Sequence, residues 1–242
     1  MDGQAVAPRT AGHHRALAWC SRPDAPSAAV LVLHGGQEHG LHRPGRINPP
    51  GLRMWPFVRA VERATAGAEV AVGVVRYRCR GWNGDRADAA RDTTAALQDL
   101  AEELGPVPTV LIGHSMGGRA ALRAAGHPCV AGVVALAPWC PDGEPSEHLE
   151  GRRLLMVHGE RDKVTDPAAT VDFAVRARAA GAHAAGYRVA RSGHTLLHRA
   201  GLWHRTAATL TTGLLGLRDL PSEITAALAL PAGDRGGLDL PL

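Results

Sequence analysis

The sequence predicts an α/β protein: a mostly parallel central sheet of about seven or eight strands, with helices on both faces. Three observations carry this. Short, continuous apolar runs such as Ala29-Val30-Leu31-Val32-Leu33 read as strands buried on both sides. Stretches with helical spacing of apolar residues alternate with those runs along the chain. Four of the runs end in Gly-, His- or Ser-bearing turns, at residues 34–37, 113–118, 158–162 and 191–194. In such sheets reactive groups gather outside the strand carboxyl ends, so a shared placement of this kind points to a site.

Taken in order, residues 1–28 are a polar N-terminal segment with one candidate edge strand, Arg15-Ala16-Leu17-Ala18-Trp19-Cys20, before Pro23 and Pro26. The first buried strand, Ala29 to Leu33, runs into His34-Gly35-Gly36-Gln37. A loop rich in Gly, Pro, His and Arg is expected over 37–53, then a helix from Trp55 to Thr65 with Phe57, Val58 and Val61 on one stripe. Val70 to Val75 is a second buried strand, leading to Arg80-Gly81-Trp82-Asn83-Gly84. Residues 86–104 carry the clearest helical pattern, through Ala89, Ala96, Leu97, Leu100 and Leu104.

Thr109 to Ile112 is the next strand, followed by the turn Gly113-His114-Ser115-Met116-Gly117-Gly118 and a helix closed by Gly126 and Pro128. Val130 to Ala137 and Arg153 to Val157 are strands joined by a polar connection over 138–150. A helix from about Ala168 to Ala180, a weak strand at Tyr187 to Ala190 and a helix from about Leu196 to Leu215 complete a domain spanning 29–218. Residues 219–242, punctuated by Pro and Gly, are expected to form a loosely packed tail.

Composition excludes several classes. A chain of 242 residues with 45% hydrophobic content can bury a sizeable core without disulfides. Cys20, Cys79, Cys129 and Cys140 have no C-x-x-C spacing and are expected as free thiols. The net charge of +4 is carried almost wholly by arginine and is spread along the chain, which argues against nucleic-acid and membrane partners. No apolar run reaches the ~18 residues of a membrane span, and Met1-Asp2-Gly3-Gln4 opens a polar start without an apolar signal core. A cytoplasmic location is the expectation.

The turn at Ser115 organises the functional reading. A serine at a sharp strand-to-helix turn is forced towards positive φ and presents its hydroxyl at the sheet end. The turn crowds the positions two before and two after, which makes Gly113 and Gly117 steric requirements. The start of the next helix offers a free N–H at Met116 and a positive dipole end, both suited to an oxyanion. The bare G-x-S-x-G pattern is expected by chance ~0.1 times in such a chain, so the strand-turn-helix context carries the inference.

A neutral hydroxyl needs a base. His194, in a Ser-Gly-His turn after the last strand of the domain, is the candidate, with His198 as its rival. The base needs a carboxylate to fix its tautomer. Asp162 is placed for that role directly after a strand, and Glu160, Asp166 and Asp142 are the alternatives. A second oxyanion donor is expected from the His34-Gly35-Gly36-Gln37 turn, at Gly36 or, failing that, Gln37. His39 and His42 lack a third ligand in sequence, so no metal is expected. Arg43, Arg46, Arg53, Arg76, Arg78 and Arg80 crowd the strand ends nearby; arginine forks bind carboxylate and phosphate, but in a chain with 26 arginines solvated loop charges are the favoured reading.

The order Ser…Asp…His, the Gly-His-Ser-Met-Gly-Gly turn, the His-Gly-Gly segment and Gly159-Glu160-Arg161-Asp162 together resemble the α/β-hydrolase superfamily. Arg80 to Gly84 is similar to that family's R-G-x-G-type loop, with one residue inserted before the second glycine. The resemblance runs from about residue 28 to 215. It implies a typically eight-stranded, mostly parallel sheet, a serine acyl-enzyme mechanism and no cofactor. Residue by residue it implies Ser115 as nucleophile, Asp162 as acid, His194 as base, and Gly36 and Met116 as oxyanion donors. Many members carry a cap domain, but 138–152 is too short for a helical lid here. An open site is therefore expected, acting on a small-molecule ester or thioester, including one tethered to a larger carrier. Acyl transfer or peptidase-like cleavage on the same residues, or a non-catalytic binding protein of the same fold, are the alternatives.

Overall fold

The structure is a computed structural model that describes residues 14–45 and 47–242. Eight strands form one sheet: β1 (Leu17–Ser21), β2 (Ala28–Leu33), β3 (Val70–Val75), β4 (Thr109–His114), β5 (Val130–Leu136), β6 (Arg153–Gly159), β7 (His183–Val189) and β8 (Leu240–Pro241). Their order across the sheet is β1-β3-β2-β4-β5-β6-β7-β8. Only β1 runs antiparallel, against β3, and every other pairing is parallel. Six helices cover the sheet: α1 (Pro49–Ala64), α2 (Asp88–Leu104), α3 (Met116–Ala124), α4 (Pro167–Ala179), α5 (Ala200–Leu214) and α6 (Ser222–Leu228).

Two cores sandwich the strands. Leu31, Leu33 and Leu111 face α2, α3 and α4, with Leu97, Leu122 and Phe173 packed on them. Val30, Val32 and Ile112 face α1, α5 and α6, against Phe57, Trp203 and Ile224. All residues of β2 and β4 are buried, which is the physical reason they read as unbroken apolar runs. Cys79, Cys129 and Cys140 are buried and Cys20 half-buried, all as free thiols. No helix among the described residues is long and apolar enough to cross a membrane.

The structure departs from the sequence expectations in four places. The loop expected over 37–53 is shorter, because α1 starts at Pro49 and not at Trp55. Pro49 and Pro50 occupy the first turn, where a missing N–H costs nothing. Pro56 then lies inside the helix, tolerated because Met54, Phe57, Val58 and Val61 are buried around it. The expected weak strand at 187–190 is the full seven-residue β7, whose Ala184, Ala185 and Gly186 have low strand propensity but pair in register with β6. The last long helix begins at Ala200, since Leu196 and Arg199 adopt positive φ and form turns.

The fourth departure is the segment 219–242. It packs α6 and β8 on the sheet edge, with Ile224, Ala227 and Leu238 buried. Arg178, itself 2% exposed, gathers this segment. Its guanidinium donates to the carbonyls of Ala184, Ala227, Asp234 and Gly236. The connection from β5 to β6 holds a single 3₁₀ turn at Glu147–Leu149.

Candidate active site

The turns after β2, β4, β6 and β7 converge at one rim of the sheet. Ser115, between β4 and α3, has φ 56° and ψ −119°. Its N–H is held by the Leu136 carbonyl on β5, and its own carbonyl accepts from Arg119 and Trp139. That strain is tolerated only where neighbours over-determine it. A Cβ at Gly117 would lie 2.5 Å from the His34 carbonyl oxygen and 2.6 Å from that of Leu33. One at Gly113 would lie 2.5 Å from the Gly117 carbonyl carbon. Both glycines are thus required by backbone, which cannot move aside.

The Ser115 hydroxyl lies 3.0 Å from His194 Nε2. His194 Nδ1 lies 2.8 Å from Asp162 Oδ2. With Nδ1 donating to the carboxylate, Nε2 is left as the acceptor for the serine proton. The rivals are engaged elsewhere. Glu160 accepts from the Arg191 N–H, Asp166 caps α4 at Ala168, and Asp142 lines a separate cleft near Trp139. His198 is exposed, and its carbonyl accepts from Ser192.

Asp162 is built into its position. Oδ1 accepts from the amides of Val164 and Thr165, at 2.8 and 3.0 Å. Oδ2 accepts from Thr165 Oγ1 at 3.0 Å and from His158 Nε2 at 3.2 Å. Burial alone would raise its pKa, but the hydrogen bonds from His158, His194, Val164 and Thr165 outweigh it and hold the carboxyl well below the usual carboxylate range. It stays an acceptor through the ordinary carboxylate range.

The backbone donors are equally defined. Gln37 N–H donates to the Arg80 carbonyl and is spent there. The segment 80–83 brackets 37–42 through further bonds, Trp82 to Gln37, Asn83 to Glu38 and Gly81 to Gly40. Asn83 also accepts from the Gly40 N–H at 2.8 Å. Among the described residues the amides of Gly35 and Gly36 make no hydrogen bond. A Cβ at Gly36 would strike the Met116 side chain and lie 2.5 Å from the Arg80 carbonyl oxygen. The Met116 N–H, first in α3, has no intrahelical acceptor. The Met116 and Gly36 amides, one directly after the serine and one in the turn after β2, are without a hydrogen-bond partner among the described residues.

Three contributors were not singled out from sequence. His158 and Thr165 fix the Asp162 carboxylate, and their only signal was proximity to a strand end. His114 is buried beside the serine and hydrogen-bonds the His194 carbonyl through Nε2 at 2.9 Å. Burial first, then the neighbouring His194, pushes its pKa down to about 3. Since a carbonyl only accepts, His114 carries its proton on Nε2, and its Nδ1 is buried without a partner.

Comparison with known proteins places this geometry. A family model described as the alpha/beta hydrolase family matches residues 30–240. The chain belongs to the alpha/beta hydrolase family. Its fold is shared with a thermophilic esterase from Thermogutta terrifontis, solved with propionate bound, at 17% identity and a TM-score of 0.59, covering 85% of this chain and 90% of that one. It is shared too with Est1E from Butyrivibrio proteoclasticus, solved with ferulic acid bound, at 15% identity and a TM-score of 0.57, covering 83% and 96%. A monoacylglycerol lipase from Paleococcus ferrophilus aligns at 14% identity and a TM-score of 0.58, covering 82% and 98%. No curated protein matches the sequence. At these identities the likeness to solved structures speaks for the fold of this alpha/beta hydrolase.

Proposed function

We propose that the protein is a serine hydrolase that cleaves a carboxylic ester or thioester through an acyl-enzyme on Ser115. The observation that carries this reading is the unbroken relay Ser115 Oγ to His194 to Asp162, at 3.0 and 2.8 Å, with the serine on a strained turn. Esterases and a lipase among the structures of the same fold are consistent with it.

His194 Nε2 takes the hydroxyl proton as Ser115 Oγ attacks the carbonyl carbon. Charge develops on the carbonyl oxygen, where the N–H groups of Gly36 and Met116 converge; removing one such donor costs roughly 10²–10³ in rate. Asp162 balances the imidazolium that forms. The proton then passes from His194 to the leaving oxygen or sulfur as its bond to carbon breaks. Water, activated by the same imidazole, resolves the acyl-enzyme.

The test is direct. The wild-type protein should turn over p-nitrophenyl acetate, and Ser115→Ala should abolish both turnover and labelling by a fluorophosphonate. Asp162→Asn should retain the fold and lower kcat by several orders of magnitude, because an amide favours the wrong imidazole tautomer. Turnover that survives Ser115→Ala would overturn the reading.

A further inference from the structure

A cavity of about 400 Å³ opens between the N-terminal half of α1 and the ends of β2 and β3. Its lining mixes aliphatic residues, Val32, Met54, Val58 and Val74 among them, with aromatic and polar ones, including Trp55, Tyr77, Asn48 and His34. Among the described residues, no aspartate or glutamate lines it. Arg43 and Arg76 do.

The arginines that crowd these strand ends have been sorted by the fold. Arg78 pairs with buried Asp92 at 2.5 Å, and Arg53 donates to the Thr195 carbonyl. Arg80 does not line the cavity, and Arg46 lies outside the described residues. Arg43 and Arg76 make no ion pair among the described residues. Two exposed arginines thus line a cavity of mixed polar and apolar character, with no carboxylate among the described residues to balance them.

The cavity is lined by His34, the first residue of the turn that carries Gly36. Gly35, next to His34, packs on the nucleophile: a Cβ there would lie 3.4 Å from Ser115 Cβ. The cavity belongs to the α1–α5 face, and His194 comes from the turn that leads into α5. Arg53 on α1 reaches the residue after His194. In a serine hydrolase the base must hand its proton to the leaving group, so the leaving group lies on the side of the imidazole.

We propose that this cavity holds the leaving-group half of the substrate, and that Arg43 and Arg76 recognise an anionic group on it. The substrate class is then an ester or thioester of an alcohol or thiol bearing a carboxylate or phosphate. The inference rests on the serine-hydrolase reading above. In the step concerned, the carbonyl carbon's bond to oxygen or sulfur breaks and His194 protonates that atom. The acyl group stays on Ser115 Oγ, and the anionic alcohol or thiol departs from the cavity.

Four thioacetates that share one acyl group test this, with thiol release read by Ellman's reagent. They are S-acetyl-3-mercaptopropionate, S-acetyl-2-mercaptoethyl phosphate, neutral S-acetyl-2-mercaptoethanol and cationic acetylthiocholine. At low salt the faster anionic probe should exceed the neutral one in kcat/KM by about 10–100-fold, on the scale of one or two charge-assisted hydrogen bonds. The cationic probe should be slowest. In the double variant Arg43→Gln/Arg76→Gln, the anionic-to-neutral ratio should collapse towards one. Equal rates for all probes, or a ratio unchanged in the double variant, would overturn the proposal while leaving Ser115-dependent hydrolysis intact. If no thioacetate is turned over, turnover of p-nitrophenyl acetate by wild type and its loss in Ser115→Ala decide the hydrolase reading separately. Calorimetric binding to the Ser115→Ala protein then decides the cavity. An anion preference lost in the added Arg43→Gln/Arg76→Gln background supports the site, and equal binding of anionic and neutral probes rejects it.

Discussion

His114 shows how much one buried side chain can couple stability to pH. It is 5% exposed, and its pKa is pushed down to about 3, whereas an unfolded histidine titrates near ~6.5. Between those two values the unfolded chain binds a proton that the folded protein excludes. Stability from this residue is therefore complete above pH ~6.5 and is lost as pH falls, at ~1.4 kcal/mol per pH unit. His114→Gln keeps an amide donor for the His194 carbonyl and removes the titration. On going from pH 7 to pH 5, the urea-unfolding free energy of the variant should fall by about 2 kcal/mol less than that of the wild type. Equal losses would mean that His114 takes up its proton without unfolding. Asp162 acts in the same sense at lower pH. Its depressed pKa contributes stability that is complete above the ordinary carboxylate range and is lost progressively as pH falls through and below it.

At the scale of elements, the close approach of β2, β4 and α3 sets what the site can accept. Gly117→Ala would push a methyl group into the carbonyls of His34 and Leu33, backbone that carries the Gly36 donor. The expected result is a loss of about 1–3 kcal/mol by denaturant titration, from overpacking, and a fall in esterase rate as the turn shifts. Helix α1 gives a prediction of opposite sign. Pro56 leaves the Leu52 carbonyl without its helical donor, so Pro56→Ala should stabilise the protein by on the order of 1 kcal/mol, part of the ~3 kcal/mol difference between the two residues in a helix interior. A lower thermal midpoint for Pro56→Ala would show that the proline is needed where it stands.

The same elements explain what could be read in advance. Strands buried on both faces advertise themselves as apolar runs, and the turns after them were visible because Gly, His and Ser stand where the runs stop. Ser115, Asp162 and His194 could be picked out because each lies directly after a strand. The start of α1 could not, since prolines that usually break a helix here fill its first turn. Nor could the roles of His114, His158 and Thr165. His114 depends on the turn after β7 lying over the end of β4, eighty residues away in sequence, and His158 and Thr165 on a 158–165 turn whose side-chain bonds to Asp162 follow no helix or strand period.

For the molecule as a whole, the segment after residue 218 closes the sheet, and one charge decides how firmly. Its sequence has too much Pro and Gly and too little periodicity to announce structure, because its organising contact comes from Arg178 on α4. That guanidinium is buried and bonded to four carbonyls, three of them in the terminal segment. Burial lowers its pKa, offset in part by Asp234. Removing it would strand those carbonyls, and removing the segment would strand the charge. Either change leaves buried polar groups without partners, which costs about 3–5 kcal/mol where a charge is involved. Arg178→Met should therefore lower stability by several kcal/mol and open the segment to protease near residues 229–237, ahead of global unfolding. Truncation after residue 218 should cost at least as much, since it also exposes the apolar surface covered by Ile224 and Leu238. The combined variant separates coupling from independent losses. If the segment is held through Arg178, truncation together with Arg178→Met should cost less than the sum of the two, because the second change removes a charge that the first has already stranded. Additive losses would mean that the terminal segment is held by its apolar contacts alone.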